Sequence, residues 1–514
     1  MLWTILRNMA RTSAAAPATP ATGDSLAMGM ASFHAGEFSV ACRHLRAARA
    51  ADPADGDVLY CLALAEARSG QHVLAEELLQ ELRLTRDDAD VNNALGNVCR
   101  MRGNLVDAGS AYRRALAVDA GHLAALANLG LVLRDQGVPQ QALPVLDRAL
   151  VLAPDYVEAL FNKALALTDL GESQAAGQLI EQVLRLDPDF AEAHLQRGFA
   201  LLRRGDFAAG WREYRWRVNI PELDHWRDYD YPLWQGEKLS GRRVLVQAEQ
   251  GLGDQIMFAS CLPDMLESAR QVMIECDSRL AVLFARSFPQ AVVYRHRVKG
   301  QPEWSHEPAP DFRVRLGDLP RMLRNCGADF PRHSGYLFAD PGNVTNWRIR
   351  LAALGSGPKI GLSWRGGTLA TGQRARSLPL EDLLPIVSLP DTHFVSLQYG
   401  DGREEIANLR TRYGVTFSEW PQAIADMDEM AALVASLDMV ITVCTTAAHL
   451  AGALGKTAWV LVPAVSEWRY RESGNGIPWY PELRLFRQRR TAEWSDVILE
   501  VRTALIDAIG AGFK

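Results

Sequence analysis

A solenoid of paired helices followed by two successive parallel α/β sheets is the fold class this chain predicts, and three observations carry it. Glycines recur at Gly36, Gly70, Gly103, Gly137, Gly171 and Gly205, at intervals of 33 or 34 residues. Past residue 240 that period stops, and short apolar runs alternate with helical stretches, the pattern of parallel strands joined by crossover helices. The third is bulk: 514 residues exceed the usual ~100–200 per domain, so about three folding units are expected. With 48% hydrophobic residues each can bury a core, which excludes a disordered or fibrous chain. A net charge of −6 without any Lys/Arg block argues against nucleic acid or an anionic membrane as the main partner.

Residues 1–23 read as a disordered tail, rich in Ala, Pro and Thr between Ala14 and Thr22. The apolar stretch Leu2 to Leu6 is shorter than the ~7–15 residues of a secretory core, and no run reaches the ~18 residues of a membrane span. Seven scattered cysteines without a Cys-x-x-Cys pair read as reduced thiols, which points to the cytoplasm.

The region 24–220 is built on the 34-residue period. A glycine permits the tight turn between two antiparallel helices. Five residues on, Ala41, Ala75, Ala108, Ala142 and Ala176 let the helices approach, and Pro53, Pro154 and Pro188 stop the second helix. Such a unit resembles the tetratricopeptide repeat. Five repeats end near Pro188, and a sixth has a second helix, Asp206 to Arg217, with aromatics at helical spacing, a cap expected to dock onto another surface. Stacked repeats form a curved solenoid that holds extended partners. Asn128, Asn162 and Gln196 recur at 34 residues and are candidates to grip a peptide backbone, although asparagine is also common at this repeat position and Ala94 interrupts the series.

A linker at 221–240 leads to one α/β domain at 241–345 and a second at 346–514. In the first, strand Arg243 to Val246 precedes Gln250-Gly251-Leu252-Gly253-Asp254 and an amphipathic stretch from Ile256 to Leu266. The loop lacks the third glycine of the dinucleotide fingerprint and the Gly-Lys-Ser/Thr of a P-loop. It reads as a glycine turn close to a ligand with an acidic side chain at a helix start; Asp254 as a plain helix cap is the alternative. In the second domain, strand Met439 to Val443 runs into Cys444-Thr445-Thr446 and a helix carrying His449, an anion site suited to a diphosphate. Arg365, Arg374 and Arg376 flank a Gly-Gly loop, and Gln398 ends another strand. Asp426-Met427-Asp428 suggests metal, but a capping box of Asp426 with Glu429 explains it as well, and no cluster with zinc-ligand spacing exists. No metal and no cofactor is expected. The amphipathic stretch Trp494 to Ile509 is expected to pack back across the junction of the two sheets.

These motifs together resemble bacterial tetratricopeptide glycosyltransferases: Trp234-Gln-Gly, Glu249 to Asp254, Ser363-Trp-Arg-Gly-Gly367, Arg376-Ser-Leu-Pro-Leu380, Ser396-Leu-Gln398 and Thr446-Ala-Ala-His-Leu-Ala-Gly-Ala-Leu-Gly455. The second half is similar to heptosyltransferases and the layout to O-linked N-acetylglucosamine transferases. The resemblance implies two Rossmann-like domains facing a cleft, the GT-B arrangement, and inverting, metal-independent transfer from a nucleotide-sugar, CMP- or UDP-linked. It makes Asp254 the general base, puts Gln250, Gly251 and Gly253 on the acceptor side, and gives donor contacts to Arg365, Arg376, Gln398, Thr445, Thr446 and His449. Cys444 stands where many relatives carry an acidic residue. The segments Glu467 to Tyr470 and Pro478 to Pro481 resemble the flagellin glycosyltransferase branch, which makes flagellin the candidate acceptor. A glycan or lipid-linked acceptor, or a repeat scaffold with a silent α/β half, are the alternatives.

Overall fold

The computed structural model describes residues 20–221, 223, 229–297, 302–367, 375–491 and 493–512, with no side chains for 20–23. The tail residues 1–19 and Arg374 therefore lie outside the described residues. The chain divides into two compact units, Met1–Gln196 with Asn219–Glu222, and Arg197–Val218 with Leu223–Lys514.

The first unit is helical. Among the described residues ten helices pair antiparallel across the predicted turns: α1 (Pro20–His34), α2 (Phe38–Ala51), α3 (Gly56–Arg68), α4 (His72–Arg83), α5 (Ala89–Met101), α6 (Leu105–Val118), α7 (Leu123–Asp135), α8 (Pro139–Leu152), α9 (Val157–Asp169) and α10 (Ser173–Leu186). Gly36, Gly70, Gly103, Gly137 and Gly171 all take φ between +79° and +88°, a conformation that costs glycine little and other residues much. The five small residues after them are at most 4% exposed, so the helices of each pair touch there. Arginines stitch successive repeats: Arg100 to Asp135 at 2.9 Å and, one period later, Arg134 to Asp169 at 2.6 Å.

Within a pair the fit is tight. A Cβ on Gly96 of α5 would lie 2.4 Å from Cε1 of Tyr112 on α6. Tyr112 is fully buried and its hydroxyl donates to Asn97 Oδ1 at 2.8 Å, so the ring cannot retreat. Gly96→Ala is therefore expected to destabilise the repeat unit by about 1–3 kcal/mol, measured by urea denaturation followed by far-UV circular dichroism.

The second unit begins inside α11 (Ala191–Arg204), turns at Gly205 and continues through α12 (Phe207–Tyr214) and a 3₁₀ turn, Arg215–Asn219. Two parallel sheets follow. The first has β1 (Arg243–Gln247), β2 (Gln271–Cys276), β3 (Val292–Arg295) and β4 (Phe312–Arg315) in the order β3-β2-β1-β4. The second has β5 (Lys359–Ser363), β6 (His393–Ser396), β7 (Phe417–Glu419), β8 (Met439–Val443), β9 (Ala458–Val462) and β10 (Leu483–Arg487) in the order β10-β9-β8-β5-β6-β7. Counted from its own first strand this is 3-2-1-4-5-6, the doubly wound order. Central strands β5, β8 and β9 are buried at every residue, as parallel strands covered on both faces must be.

Two expectations need correction, and the linker has contacts of its own. The stretch Ile256 to Leu266 is not one helix: α13 (Leu252–Phe258) and α14 (Leu262–Ser268) are separated by a 3₁₀ turn, with Pro263 opening the second. The C-terminal helix, Ser495–Ala511, puts Trp494, Val497, Ile498, Val501 and Leu505 into the core of the second sheet, with Ile360 and Leu362, rather than across the junction. Part of the linker is structural, since Trp234 N donates to Arg313 O at 2.8 Å and Leu233 bridges β4 in parallel.

The cap docks as its aromatics suggested, onto the α/β unit. Trp211 of α12 is 2% exposed and its Nε1 donates to Arg324 O at 2.8 Å. Around it pack Phe258, Trp468 and Trp479, with ring centroids 5.5–6.3 Å away. All seven cysteines are unpaired. Among the described residues no helix is long and apolar enough to cross a membrane.

Candidate functional site

In each sheet the strand order reverses beside the first strand, β1 next to β4 and β5 next to β8, and the crevice beyond the carboxyl ends at such a point is where open α/β sheets hold ligands. At the first reversal, β1 delivers Glu249, Gln250 and Gly251. Glu249 is 3% exposed and accepts from Arg217 Nη2 at 2.5 Å and from the Gly317 N–H at 3.2 Å. Arg217 also reaches Asp318 at 2.7 Å. Gln250 adopts φ +75°, costly for a non-glycine residue, and is held there by Tyr214 Oη on its Oε1 at 2.7 Å and its own Nε2 on Glu249 at 3.1 Å. The cap segment thus fixes the loop that opens α13. Gly251 is the N-cap of that helix, and Asp254 lies in its first turn without capping it, so its carboxylate is available for another partner.

At the second reversal, Thr445 caps α22 (Thr446–Ala453; α15 to α21 are the intervening helices Ala281–Ser287, Leu319–Leu323, Pro341–Ala352, Leu384–Val387, Arg403–Tyr413, Pro421–Ala425 and Met427–Ser436), its Oγ1 accepting from Ala447 N at 3.2 Å. Gly366 packs on it: a Cβ there would meet Thr445 Cγ2 at 2.7 Å. Cys444 is buried, which pushes its thiol well above the usual range and keeps it uncharged. Gln398 is consumed locally. Its Oε1 accepts from Trp364 N and Arg365 N at 3.1 and 2.9 Å, and its Nε2 donates to Arg365 O and Tyr399 O. Its work here is to hold the Trp364-Arg365 turn. Arg365 pairs with Glu405 at 3.2 Å, and its Nη2 also donates to Asp401 O.

The two loops meet. A Cβ on Gly253 would be 3.0 Å from His449 Cδ2 and 3.6 Å from Thr446 Oγ1, so a larger residue there would press on the His449 ring where α13 approaches α22. Asp254 Oδ1 accepts from Arg469 Nε at 2.9 Å and also from Nη2 of the same guanidinium. Arg469 reaches Glu467 at 3.3 Å, and Glu467 reaches Arg376 at 2.5 Å. Four charged side chains form one chain of contacts, and Asp254 and Arg469 are only 18% and 17% exposed. The sheets are tied by Arg286 to Asp428 at 2.6 Å and through Tyr336, whose N–H donates to Ala453 O at 2.8 Å and whose Oη donates to Ile256 O at 2.7 Å.

His449 is 6% exposed, with Nδ1 3.2 Å from Tyr480 Oη. Burial, and then the charge of Arg469, depress its pKa from 6.5 to about 3, so the imidazole is neutral near pH 7 and cannot serve as a phosphate counter-charge. Protonation favours the unfolded chain, so this group's contribution to stability is complete above about pH 6.5 and is lost as pH falls toward 3. His449→Gln is accordingly expected to flatten the decline of Tm between pH 7 and 5; an unchanged slope contradicts the burial argument.

The proposed peptide-gripping amides are turned inward. Asn128 and Asn162 are each 1% exposed: Asn128 Nδ2 donates to Asn93 Oδ1 and Asn97 Oδ1 at 3.0 and 3.1 Å, and Asn162 Nδ2 to Ala127 O at 3.0 Å. They join neighbouring repeats. Gln196 is half-buried. An open groove in the repeat unit, about 390 Å³, is instead lined by Arg46, Arg49, Pro53, Leu62, Leu74 and Leu78. Asp426 caps its helix, but no capping box forms, since Glu429 accepts from Trp347 Nε1 at 2.9 Å and Asp428 is paired with Arg286. Among the described residues no group of three or more His, Cys, Asp or Glu could hold a metal ion. Glu467 and Arg469 entered the sequence reading only inside the Glu467 to Tyr470 motif, and Arg217 only as the end of the cap helix; none was given a site role, because local pattern does not say which distant charge each one pairs with.

Fold and site together define a repeat protein with a doubly wound α/β unit. The tetratricopeptide repeat family model matches residues 26–89 and 127–189, so the chain carries these repeats. "Protein FlbA" of Caulobacter vibrioides is 36% identical over 323 residues, covering 60% of this chain. A match of that length cannot fit within the repeat unit, which ends at Gln196, and so extends into the α/β unit. The chain spans about half, 53%, of that relative's length. Among solved structures, MamA protein is 23% identical over 33% of this chain and 94% of its own, with a TM-score of 0.29. A thermophilic TPR protein of Thermus thermophilus, TTC0263, is 22% identical over 35% of this chain and all of its own, with a TM-score of 0.32.

Proposed function

We propose that this chain is a glycosyltransferase of the GT-B class that moves a sugar from a CMP- or UDP-linked donor to a Ser/Thr hydroxyl of an acceptor protein, in the cytoplasm. The observation that carries the reading is the approach of the Gly253-Asp254 loop, after β1, to Thr446 and His449, after β8: a carboxylate from one sheet pairs with Arg469 of the other beside a helix start, and Glu467 links that arginine to Arg376. Asp254 takes the proton of the acceptor hydroxyl as its oxygen attacks the anomeric carbon, and the bond from that carbon to the phosphate oxygen breaks. The departing phosphate gains its hydrogen bonds from Arg469, Arg376 and the first N–H groups of α22. Attack opposite the leaving group inverts the anomeric centre. The repeats recruit the acceptor, for which the motif resemblance nominates flagellin.

A second reading, a repeat scaffold with a non-catalytic α/β unit, draws on the occupancy of Asp254 Oδ1 by Arg469 and of Gln398 by its own loop. A thermal-shift panel of UDP, GDP, ADP and CMP separates them. Stabilisation by one nucleotide, lost in Arg376→Gln, is the expected result; no shift with any nucleotide favours the scaffold.

A further inference from the structure

Arg469 is anchored independently of Asp254. Its guanidinium lies 4.6 Å over the Trp468 ring, and its Nη1 is held by Glu467, which Arg376 holds in turn. Both donors that reach Asp254 converge on one oxygen, Oδ1, an edge that a phosphate oxygen pair fits at least as well, since guanidinium and phosphate match in bidentate geometry. The network of Asp254, Glu467, Arg376 and Arg469 sums to no net charge, so within it an arriving anion is compensated only if an internal carboxylate gives way. Asp254 is the one able to do so. It stands in the first turn of a seven-residue helix, directly after Gly253, and Oδ2 is turned toward Gly251, whereas Glu467 is clamped by arginines on both sides.

We propose, resting on the function above, that Asp254 is an internal stand-in for the donor's phosphate: donor binding transfers Arg469 from the Asp254 carboxylate to the phosphate and so frees Asp254 to accept the acceptor's proton. The exchange makes and breaks only hydrogen bonds and an ion pair, and it couples the two events in the useful order. Until donor is bound, the base is occupied. Because the free enzyme holds its base in this pair, water is less able to use it against a donor that has not yet seated.

The test is a double-mutant cycle on inorganic pyrophosphate binding, then on UDP and CMP, by calorimetry on the full chain at fixed ionic strength. Arg469→Gln is expected to weaken binding about tenfold or more, the size of a lost charge-assisted contact. Asp254→Asn is expected to tighten it about fivefold, the low end of ordinary coupling between linked sites. Combined with Arg469→Gln, Asp254→Asn is expected to change nothing further, because without the arginine there is no partner for the carboxylate to withhold. Simple repulsion between Asp254 and phosphate would instead tighten binding equally in both backgrounds, and that result overturns the proposal. So does unchanged or weaker binding in Asp254→Asn, which leaves the phosphate site standing. Absence of binding of all three probes to the wild type overturns the functional reading and the latch together. Arg469→Lys, which keeps the charge without the bidentate edge, serves if the glutamine variant does not fold; intermediate affinity with a reduced Asp254→Asn effect is then the expected outcome, and a full-sized effect counts against the latch.

Discussion

Asp254→Asn is expected to lower sugar transfer by about 10²–10⁴-fold, the usual contribution of a positioned general base, with the fold intact. Asparagine preserves the volume and can still accept a hydrogen bond from Arg469, so the neighbouring geometry survives. What is lost is the proton acceptor. Asp254 makes no capping bond, and Arg469 keeps Glu467 as a counter-charge when the aspartate is replaced, so misfolding does not explain a large loss of rate. Nucleotide release from the donor, measured beside a thermal melt, checks both halves of the expectation. Wild-type turnover by the asparagine variant removes Asp254 from the base role.

Arg217→Met is expected to destabilise the α/β unit by about 3–5 kcal/mol, because it leaves two carboxylates without their shared cation. Arg217 is 6% exposed at its side chain, Glu249 3% and Asp318 16%. The guanidinium stands on the cap segment while both acids stand on first-sheet loops, and Glu249 in turn steadies Gln250 in its φ +75° conformation. Loss of the arginine therefore loosens the approach to Asp254 as well as the docked cap. Every tryptophan except Trp3 lies beyond Gln196, so tryptophan fluorescence in urea reads the α/β unit while the repeat unit stays silent. Replacing Glu249 and Asp318 by apolar residues in the Arg217→Met background is expected to recover much of the loss; a change below about 1 kcal/mol in the single variant contradicts the buried-pair argument.

The repeat unit was legible because its information is local. A turn glycine, a small residue five positions later and a stop repeat at a fixed interval, and all six glycines take the positive φ that the turn requires. Central strands were legible for the same reason, as continuous apolar runs. The outer strands of the second sheet, β7 and β10, are less legible, since one edge faces away from the ladder and the apolar run is broken. Asn128 and Asn162 show the limit of periodicity: it puts them on one stripe of the first helices but does not say that this stripe faces the preceding repeat. The site was half legible. Gly253 and Asp254 stood out by motif, yet the partner of Asp254 lies 215 residues further on, and only the folded chain brings Arg469 to it.

The central claim is that the loop after β1 and the helix start after β8 form one site for cleaving a nucleotide-sugar. Proton NMR of the anomeric signals, with UDP-, GDP-, ADP- and CMP-sugars each incubated with the wild-type chain and with Asp254→Asn, tests it directly, since water serves as a slow acceptor. The account expects one donor class to be consumed by the wild type, the first sugar to appear carrying the opposite anomeric configuration, and the asparagine variant to leave it intact. Consumption with retained configuration, equal consumption by both proteins, or four untouched donors contradicts it.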